Sequence, residues 1–515
     1  MIALTAILLA SCLLACSFLW KVLQFCNIVF KCWRNGIPVV WPTPASYRER
    51  SIWEKEQHSK LAYCLEYHKR HGSVVLSKVW PLPRVYVSEP EIVKQIMVLS
   101  SERFPKTDLA RLAFYRVMGP SSLLLLDGAE HKIHRRLLNP AFSLHILQTM
   151  VPEMGRVARE NMAEWGLSDR NPSLVVAAAK RVQHLTLLML FRTMFGMEAE
   201  GDKSSITGEV GKGEACSMHL LQPELTALVK SLMVEEISLS RILLRRAAGK
   251  GSWKDLLPLP SSISSRRKLK RLDQLCMQML DKNRGNKSSP LGLLLGGEEE
   301  GEAGEDTTKL SDTAIRDQAI TFILAGHETT ANMLSWTLLL LAENPVWQAE
   351  VRAQIWEICG RCNNQGGAED MSFDKVNCLN LVTMTLYESL RLCPPVPITS
   401  RFVSADTPFI VEGKKMTVPK GALAVVDIMS MHKDPRFWPH EPEAFKPRRW
   451  ESRLRGGIFA GPRLTEGQHP FSFLPFNAGQ RGCIGSNFAL LEGHVALACI
   501  LQASTAHLPE EYDLE

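Results

Sequence analysis

A mainly α-helical body with a minor β region, set behind one N-terminal membrane helix, is the fold class that this 515-residue sequence predicts. Three observations predict it. The first stretch carries no charge from Ile2 to Trp20. A run from Thr313 to Asn344 is apolar nearly all round, the pattern of a helix at the centre of a fold. Runs with β-like alternation are few and short.

The opening "MIALTAILLASCLLACSFLW" comes first in the chain. A helix from Ile2 to Trp20 rises about 28 Å, close to a bilayer core of roughly 30 Å. Lys21, Lys31 and Arg34 follow, and positive charge on that side predicts that it faces the cytosol. A cleaved signal peptide would carry a basic leader, which this stretch lacks. A lipidation reading of "LASC" fails because the apolar run continues past it. Residues 1–34 therefore read as a retained anchor. "IPVVWPTP" at 37–44 is Pro-rich and stiff, so residues 35–50 read as a hinge and 51–515 as the globular body.

Within the body, strands are expected at 72–80 and 84–88, with a hairpin in 408–421 turning at Gly413. "GGEEEGEAGEDTT" at 296–308 is acidic and Gly-rich and reads as an exposed loop. Ser311 or Asp312 then caps the long central helix, which stops before Pro345. No internal repeat is present, which excludes a solenoid.

A net charge of +6 is mild for this length and does not suggest a nucleic-acid partner. The strongest basic run, "SRRKLKRL" at 265–272, reads as a solvated helix face. Thirteen cysteines without regular spacing point to a reducing compartment rather than a disulfide framework. Cys359 and Cys362 form a lone C-x-x-C that lacks the second ligand pair a zinc site needs.

Three stretches carry chemistry. In "FNAGQRGCIGS", Cys483 sits on a glycine-rich loop just ahead of a helical pattern. Gly479 and Gly485 let the backbone turn and aim N–H groups at the sulfur, the helix N-terminus favours a thiolate, and Arg481 is placed to meet an anion. A buried, inert cysteine is the competing reading. In "AGHETT" at 325–330, a glycine and two threonines interrupt the central helix. Thr329 can bond the carbonyl of the preceding turn and open the helix beside Glu328, an acid that would be expensive in a core without a purpose. A polar kink that merely packs is the alternative. In "ESLR", Glu388 and Arg391 share one helix face, a pair that matters only where it is buried.

Together and in this order, the three stretches resemble one family, the cytochrome P-450 monooxygenases. "FNAGQRGCIG" is similar to the family's F-x-x-G-x-R-x-C-x-G haem-ligand loop, "AGHETT" to its oxygen-activation helix and "ESLR" to its E-x-x-R helix. The anchor and proline-rich link are similar to those of the microsomal, reductase-dependent members. The resemblance implies the P-450 fold and haem b (iron protoporphyrin IX) as cofactor. It implies insertion of one oxygen atom from O2 into a hydrophobic small molecule: a lipid, sterol, terpenoid or xenobiotic. Electrons would come from NADPH through a flavoprotein reductase. The place would be the endoplasmic reticulum membrane, single-pass, with the body in the cytosol.

The resemblance also implies roles. Cys483 would be the axial thiolate, with Phe476 packed beside the sulfur. Glu328 and Thr329 would deliver protons during oxygen activation, while Ala325 and Gly326 would leave room above the haem. Arg135, Arg401 and His131 would meet the propionates. Glu388 and Arg391 would lock the core with Arg449. Lys132, Arg136 and Lys446 would offer a basic docking face, and 105–126, 212–245, 318–330 and 395–400 would line an apolar pocket.

Three departures stand out. His131 occupies a position where the family often has tryptophan, and Arg448 one where it commonly has glutamate. After Cys483 the chain runs only to Glu515, whereas the family usually continues into a pocket-lining β-hairpin. A more open pocket or weaker folding is expected, and a non-catalytic or defective haem-binding protein is the alternative reading. Peroxide-rearranging members of the fold tend to lack the acid–alcohol pair that Glu328 and Thr329 supply.

Overall fold

A computed structural model describes residues 2–40, 68–77, 83–165, 177–197, 218–236, 260–284, 286, 289–295, 310–361, 371–411, 413–463 and 468–509. Its longer helices are α1 (Ile2–Arg34), α2 (Asp108–Met118), α3 (Gly128–Leu138), α4 (Leu144–Ala163), α5 (Ala178–Thr193) and α6 (Met218–Glu236), followed by α7 (Pro260–Asn283), α8 (Asp312–Glu343), α9 (Pro345–Cys359), α10 (Asn380–Leu392) and α11 (Ser486–Ala503). The expected acidic loop at 296–308, Cys362, residues 212–217 and 237–245 of the expected pocket lining, and residues 41–50 of the hinge lie outside the described residues.

α8 is the axis of the molecule. It begins where the sequence places its cap: the Ser311 hydroxyl accepts from the Ala314 N–H at 3.2 Å. It ends at Glu343, because Pro345 cannot continue the i→i−4 ladder and opens α9 instead. Its apolar positions run all round, and it packs on α5, α7, α10 and α11. α11 is equally enclosed, buried from Leu490 to Gln502. Leu, Met and Val side chains from these helices merge into one large core.

The β region is small. β1 (Val39–Val40), β2 (Val74–Ser77), β3 (Arg84–Val87), β4 (Ile398–Phe402) and β7 (Leu423–Asp427) form one sheet in the order β1-β2-β3-β7-β4. β2 and β3 lie where strands are expected, and they pair antiparallel. β7 runs parallel to β3 and antiparallel to β4, with Arg401 opposite Ala424. β5 (Thr407–Val411) and β6 (Lys414–Val418) form the expected hairpin, and Gly413 takes the left-handed φ of +76° at its turn.

Residues 35–40, expected to begin a stiff link, are tied to the body. β1 pairs with β2, and Cys32 and Ile37 are fully buried against the sheet. Among the described residues no helix is long and apolar enough to cross a membrane. The side chains of residues 1–15, which hold most of the uncharged run, lie outside the description, and the rest of α1 carries Lys21, Lys31 and Arg34. Cys359 is buried with its sulfur 3.8 Å from Met371 Sδ.

Candidate functional site

The Cys483 loop is closed by its own backbone. The Cys483 N–H donates to Phe476 O at 2.8 Å, and the Gly482 N–H to Gly479 O at 3.0 Å. Gly479 is required twice over: its φ is +66°, and a methyl group there would meet Met97 O at 2.6 Å. Gly485 differs from expectation. Its φ is −90°, and an added methyl would meet only Phe142, at an ordinary 3.7 Å. Its contribution is the N–H, which bonds toward the Cys483 sulfur as the sequence predicts. α11 starts at Ser486, so the thiol sits at a helix N-terminus. Phe476 is partly buried against the core.

Cys483 is accessible to solvent, yet burial raises its thiol pKa above the ordinary value. The Gly485 N–H and Arg135 act in the opposite direction and favour the thiolate.

A cationic cluster stands beside the loop. Arg135 on α3 donates to Gly482 O at 2.6 Å and tethers that helix to the loop. Arg401 on β4 is buried, bonded through Nη1 to Thr399 Oγ1 and Ser400 O, while its Nη2 has no protein partner. Burial, with the nearby Arg481, lowers Arg401 to about 10. His131 is buried on α3 and lowered to about 4 by burial, Arg481, Arg135, Lys106 and His134, so it is neutral at physiological pH. Arg481, expected to meet an anion near the thiol, instead binds Leu126 O and Asp127.

Two members of the cluster were not foreseen. Lys106 is lowered to about 7 by burial and by Arg401 and Arg481. Asp127 pairs with Arg481 and Arg111 and accepts from the Lys106 N–H. A signal for Asp127 was present: an acid directly ahead of a helical pattern reads as a cap. It sits at that position on α3 but makes no capping bond, because its carboxylate is committed to the arginines. Lys106 had no signal, since only the fold brings it to Arg401.

The "AGHETT" stretch, expected to open the helix, stays within the unbroken α8, and its hydroxyls bond back to carbonyls of the preceding turn. Thr329 Oγ1 donates to Ala325 O at 2.8 Å, Thr330 Oγ1 to Gly326 O at 3.2 Å, and Thr186 Oγ1 of α5 to His327 O at 3.1 Å. Three successive carbonyls thus take a hydroxyl in addition to the helix ladder. Ala325 is exposed although it lies mid-way along a buried helix. Gly326 is turned to α5, where an added methyl would meet Leu190 at 3.4 Å, so it serves close helix packing. Glu328 is not in the core: its side chain is 46% exposed, 4.0 Å from His327 Nε2.

Glu388 and Arg391 are both fully buried and joined by two bonds of 2.8 and 2.9 Å. Arg449 Nε, the Lys446 N–H and Trp450 Nε1 each reach Glu388 at 2.9 Å. Burial opposes ionisation of Glu388, but its bonds to Arg391, Arg449 and the Lys446 N–H outweigh that and hold the carboxyl below its ordinary value. Trp450 was missed as a partner. Arg448, where a glutamate was expected, faces outward to Glu350 of α9 at 2.5 Å. On segments expected to line a pocket, Leu124, Val396 and Ile398 remain exposed.

The comparisons agree with this architecture. The cytochrome P450 family model matches residues 42–514. Cytochrome P450 72A397 of Kalopanax septemlobus is 31% identical over 465 residues, covering 86% of this chain and 78% of that protein. An 11-oxo-beta-amyrin 30-oxidase of Glycyrrhiza uralensis is 28% identical, covering 84% and 75%. The crystal structure of the cytochrome P450DA heme domain shares the fold, with a TM-score of 0.66 at 22% identity over 86% of this chain and 85% of that one. A helical body around one long axis, a small sheet and a cysteine loop at the start of α11 are thus those of a known architecture, and the chain belongs to the cytochrome P450 family of monooxygenase oxidoreductases.

Proposed function

We propose that the chain inserts one atom of O2 into a bulky apolar small molecule, with haem b held by Cys483 and electrons supplied from NADPH through a flavoprotein reductase. One observation carries the reading. An accessible thiol at a helix N-terminus stands beside the buried Arg401 and the half-buried Lys106 and Arg135, and among the described residues Asp127 is the one acid acting on Lys106 and Arg401. Such a group fits a flat ligand that brings a thiolate-seeking metal and two carboxylates, and the unpartnered Nη2 of Arg401 fits a propionate oxygen.

Cys483 would supply the thiolate ligand, and Arg135, Arg401, Lys106 and neutral His131 would hold the propionate side. Haem, when bound, supplies the oxygen and electron chemistry. The rest falls to the chain. Glu328 is half-exposed and can collect protons from solvent, and Thr329, one residue on, can pass them inward. Glu388 and Arg391 would hold Arg449 and the segment after β7 in place. Exposed Leu124, Val396 and Ile398 support an apolar substrate, and the name of the Glycyrrhiza relative puts a terpenoid within that class. Lys132 and Arg136 are exposed on α3 and would meet an acidic reductase surface; Lys446 is already paired with Glu441.

Residues 1–34 would anchor the chain in the endoplasmic reticulum membrane with the body facing the cytosol. The uncharged run and the exposed Leu19, Trp20, Leu23, Phe30 and Trp33 of α1 support this. The deciding measurement is the reduced, carbon-monoxide difference spectrum of the full chain. A peak at the position of thiolate-ligated haem, lost in Cys483→Ser, is expected. Haem bound without that peak, or no haem at all, overturns the reading.

A further inference from the structure

Asp317, Gln318 and Thr321 lie on one side of α8 and are buried. Polar groups are costly in such a place unless each has a partner. All three find theirs in one segment, residues 119–127 between α2 and α3. Asp317 Oδ2 accepts from the Ser121 N–H at 2.9 Å, while its Oδ1 pairs with Arg316 at 2.5 Å. Gln318 Oε1 accepts from the Leu123 N–H at 3.0 Å. Its Nε2 donates to Ser121 O and reaches His134 Nδ1 of α3 at 3.3 Å. The Thr321 hydroxyl donates to Asp317 O at 2.7 Å, so it accepts from the Ser122 hydroxyl, also at 2.7 Å. Gln318 and Thr321, expected on a pocket-lining segment, are thus committed to the loop that faces them.

The fit is close. Gly119 takes the left-handed φ of +82°, and a methyl group there would overlap the Asp317 carboxylate. The far end of the segment is held by the cysteine loop, where Arg481 donates to Leu126 O at 2.6 Å and pairs with Asp127. Arg111 of α2 donates to Leu125 O at 3.2 Å. The segment therefore runs from the helix that carries Thr329 to the loop that carries Cys483, secured at both. Leu123, Leu125 and Leu126 are buried, whereas Leu124 among them is exposed. Ala325, one turn beyond Thr321 on α8, is exposed too.

We propose that Asp317, Gln318 and Thr321 are positioning residues for substrate selection, which latch the segment 119–127 to α8 so that Leu124 is presented to an apolar substrate as a fixed contact. This rests on the oxygenase reading given above. The physical gain is preorganisation. A loop bonded through its backbone to a rigid helix keeps its side chain in place before the ligand arrives, whereas a loose loop must be ordered by the ligand at a cost in affinity.

The test uses the full-length, haem-loaded chain. Imidazole serves as a small iron-binding probe and clotrimazole, a triaryl imidazole, as a bulky apolar one, each titrated by the shift of the haem absorption band. Leu124→Ala should weaken clotrimazole by about fivefold and leave imidazole within about twofold. Gln318→Leu and Thr321→Val should do the same through the loop, and Thr321→Ser, which keeps the hydroxyl, should bind both probes as the parent does. Because the latch acts through Leu124, adding Gln318→Leu to Leu124→Ala should weaken clotrimazole no further. Amide exchange over 119–127 should quicken by about fivefold or more in Gln318→Leu and Thr321→Val and stay unchanged over α10. Unchanged exchange over 119–127 overturns the latch, as does a Thr321→Ser that behaves like Thr321→Val. Parent-like clotrimazole binding by Leu124→Ala, equal weakening of both probes, or a further loss in the double variant overturns its role in selection. Absence of the reduced, carbon-monoxide peak in the parent would sink the proposed function instead, and the exchange arm, which needs no ligand, would still decide the latch. Should Gln318→Leu fail to fold, Thr321→Val and Ser122→Ala, which break one hydroxyl bond from its two sides, carry the same test.

Discussion

Lys106 shows what a single residue must endure at this site. Burial and the charges of Arg401 and Arg481 lower it to about 7, far below an unfolded lysine. The folded chain therefore releases this proton where the unfolded chain keeps it, between about pH 7 and 10.4, and stability rises with pH across that window. Below it the full cost of a buried charge is present. Lys106→Met should raise the thermal midpoint of the haem-free protein most at about pH 6, with the gain fading toward pH 10. The same variant should lose haem faster to an acceptor protein if the lysine holds a propionate. A second prediction belongs to Thr329. Thr329→Ala removes the hydroxyl bonded to Ala325 O, and product formation should fall by roughly 10²-fold while peroxide release rises. A variant that turns over with parent coupling would assign proton delivery to another group. At this scale much of the site was legible, because Cys483, Thr329, Glu388 and Arg391 have chemistry that their neighbours in sequence already frame. Lys106 was not, because a lysine in an ordinary stretch becomes unusual only when the fold takes it out of water.

Elements explain why the Glu388–Arg391 pair is worth keeping. α10 presents both on one face, and the segment after β7 returns to lay Arg449, Trp450 and the Lys446 N–H on the same carboxylate. Arg391 also donates to His432 O and Ala444 O, so its guanidinium is bonded beyond the carboxylate as well. Because the folded carboxyl is held below its ordinary value, its stabilisation is complete above about pH 4.3 and is lost as pH falls through the lower folded value. Glu388→Gln leaves two arginines short of an anion and should cost about 3–5 kcal/mol. In denaturant titrations the gap between parent and variant should be constant near neutrality and narrow in acid. A gap that ignores pH would mean that shape, not charge, is what the site requires. Long elements were legible in the sequence for a simple reason: α8 has a cap, an apolar pattern and a proline stop. β4 and β7 were not, since "ITSRF" and "LAVVD" are five residues each and their pairing partners lie elsewhere in the chain or in each other.

For the whole molecule, the open question is how the proposed anchor meets the body. α1 does not end in solvent. Cys32 and Ile37 are fully buried in the sheet cluster, Ile28 Cδ1 would lie 2.9 Å from a methyl group placed on Gly421, and Asn35 Nδ2 donates to Thr417 O at 3.2 Å. The Lys31–Asp406 pair at 3.7 Å is exposed and adds little. The last turns of α1 are therefore part of the body, and the segment ahead of them is the part left for the bilayer. That division predicts two different truncations. Removing residues 2–22 should release the protein from membranes and leave its thermal midpoint and carbon-monoxide spectrum unchanged. Removing residues 2–37 also takes away two buried side chains, at about 1.5–3 kcal/mol for a large one, and should lower the midpoint by several degrees. Sedimentation after carbonate washing and a melting curve for each chain check both halves. Equal melting of the two shortened chains would mean that α1 only tethers the body, and that a rigid seat on the β5–β6 side does not set its angle to the membrane.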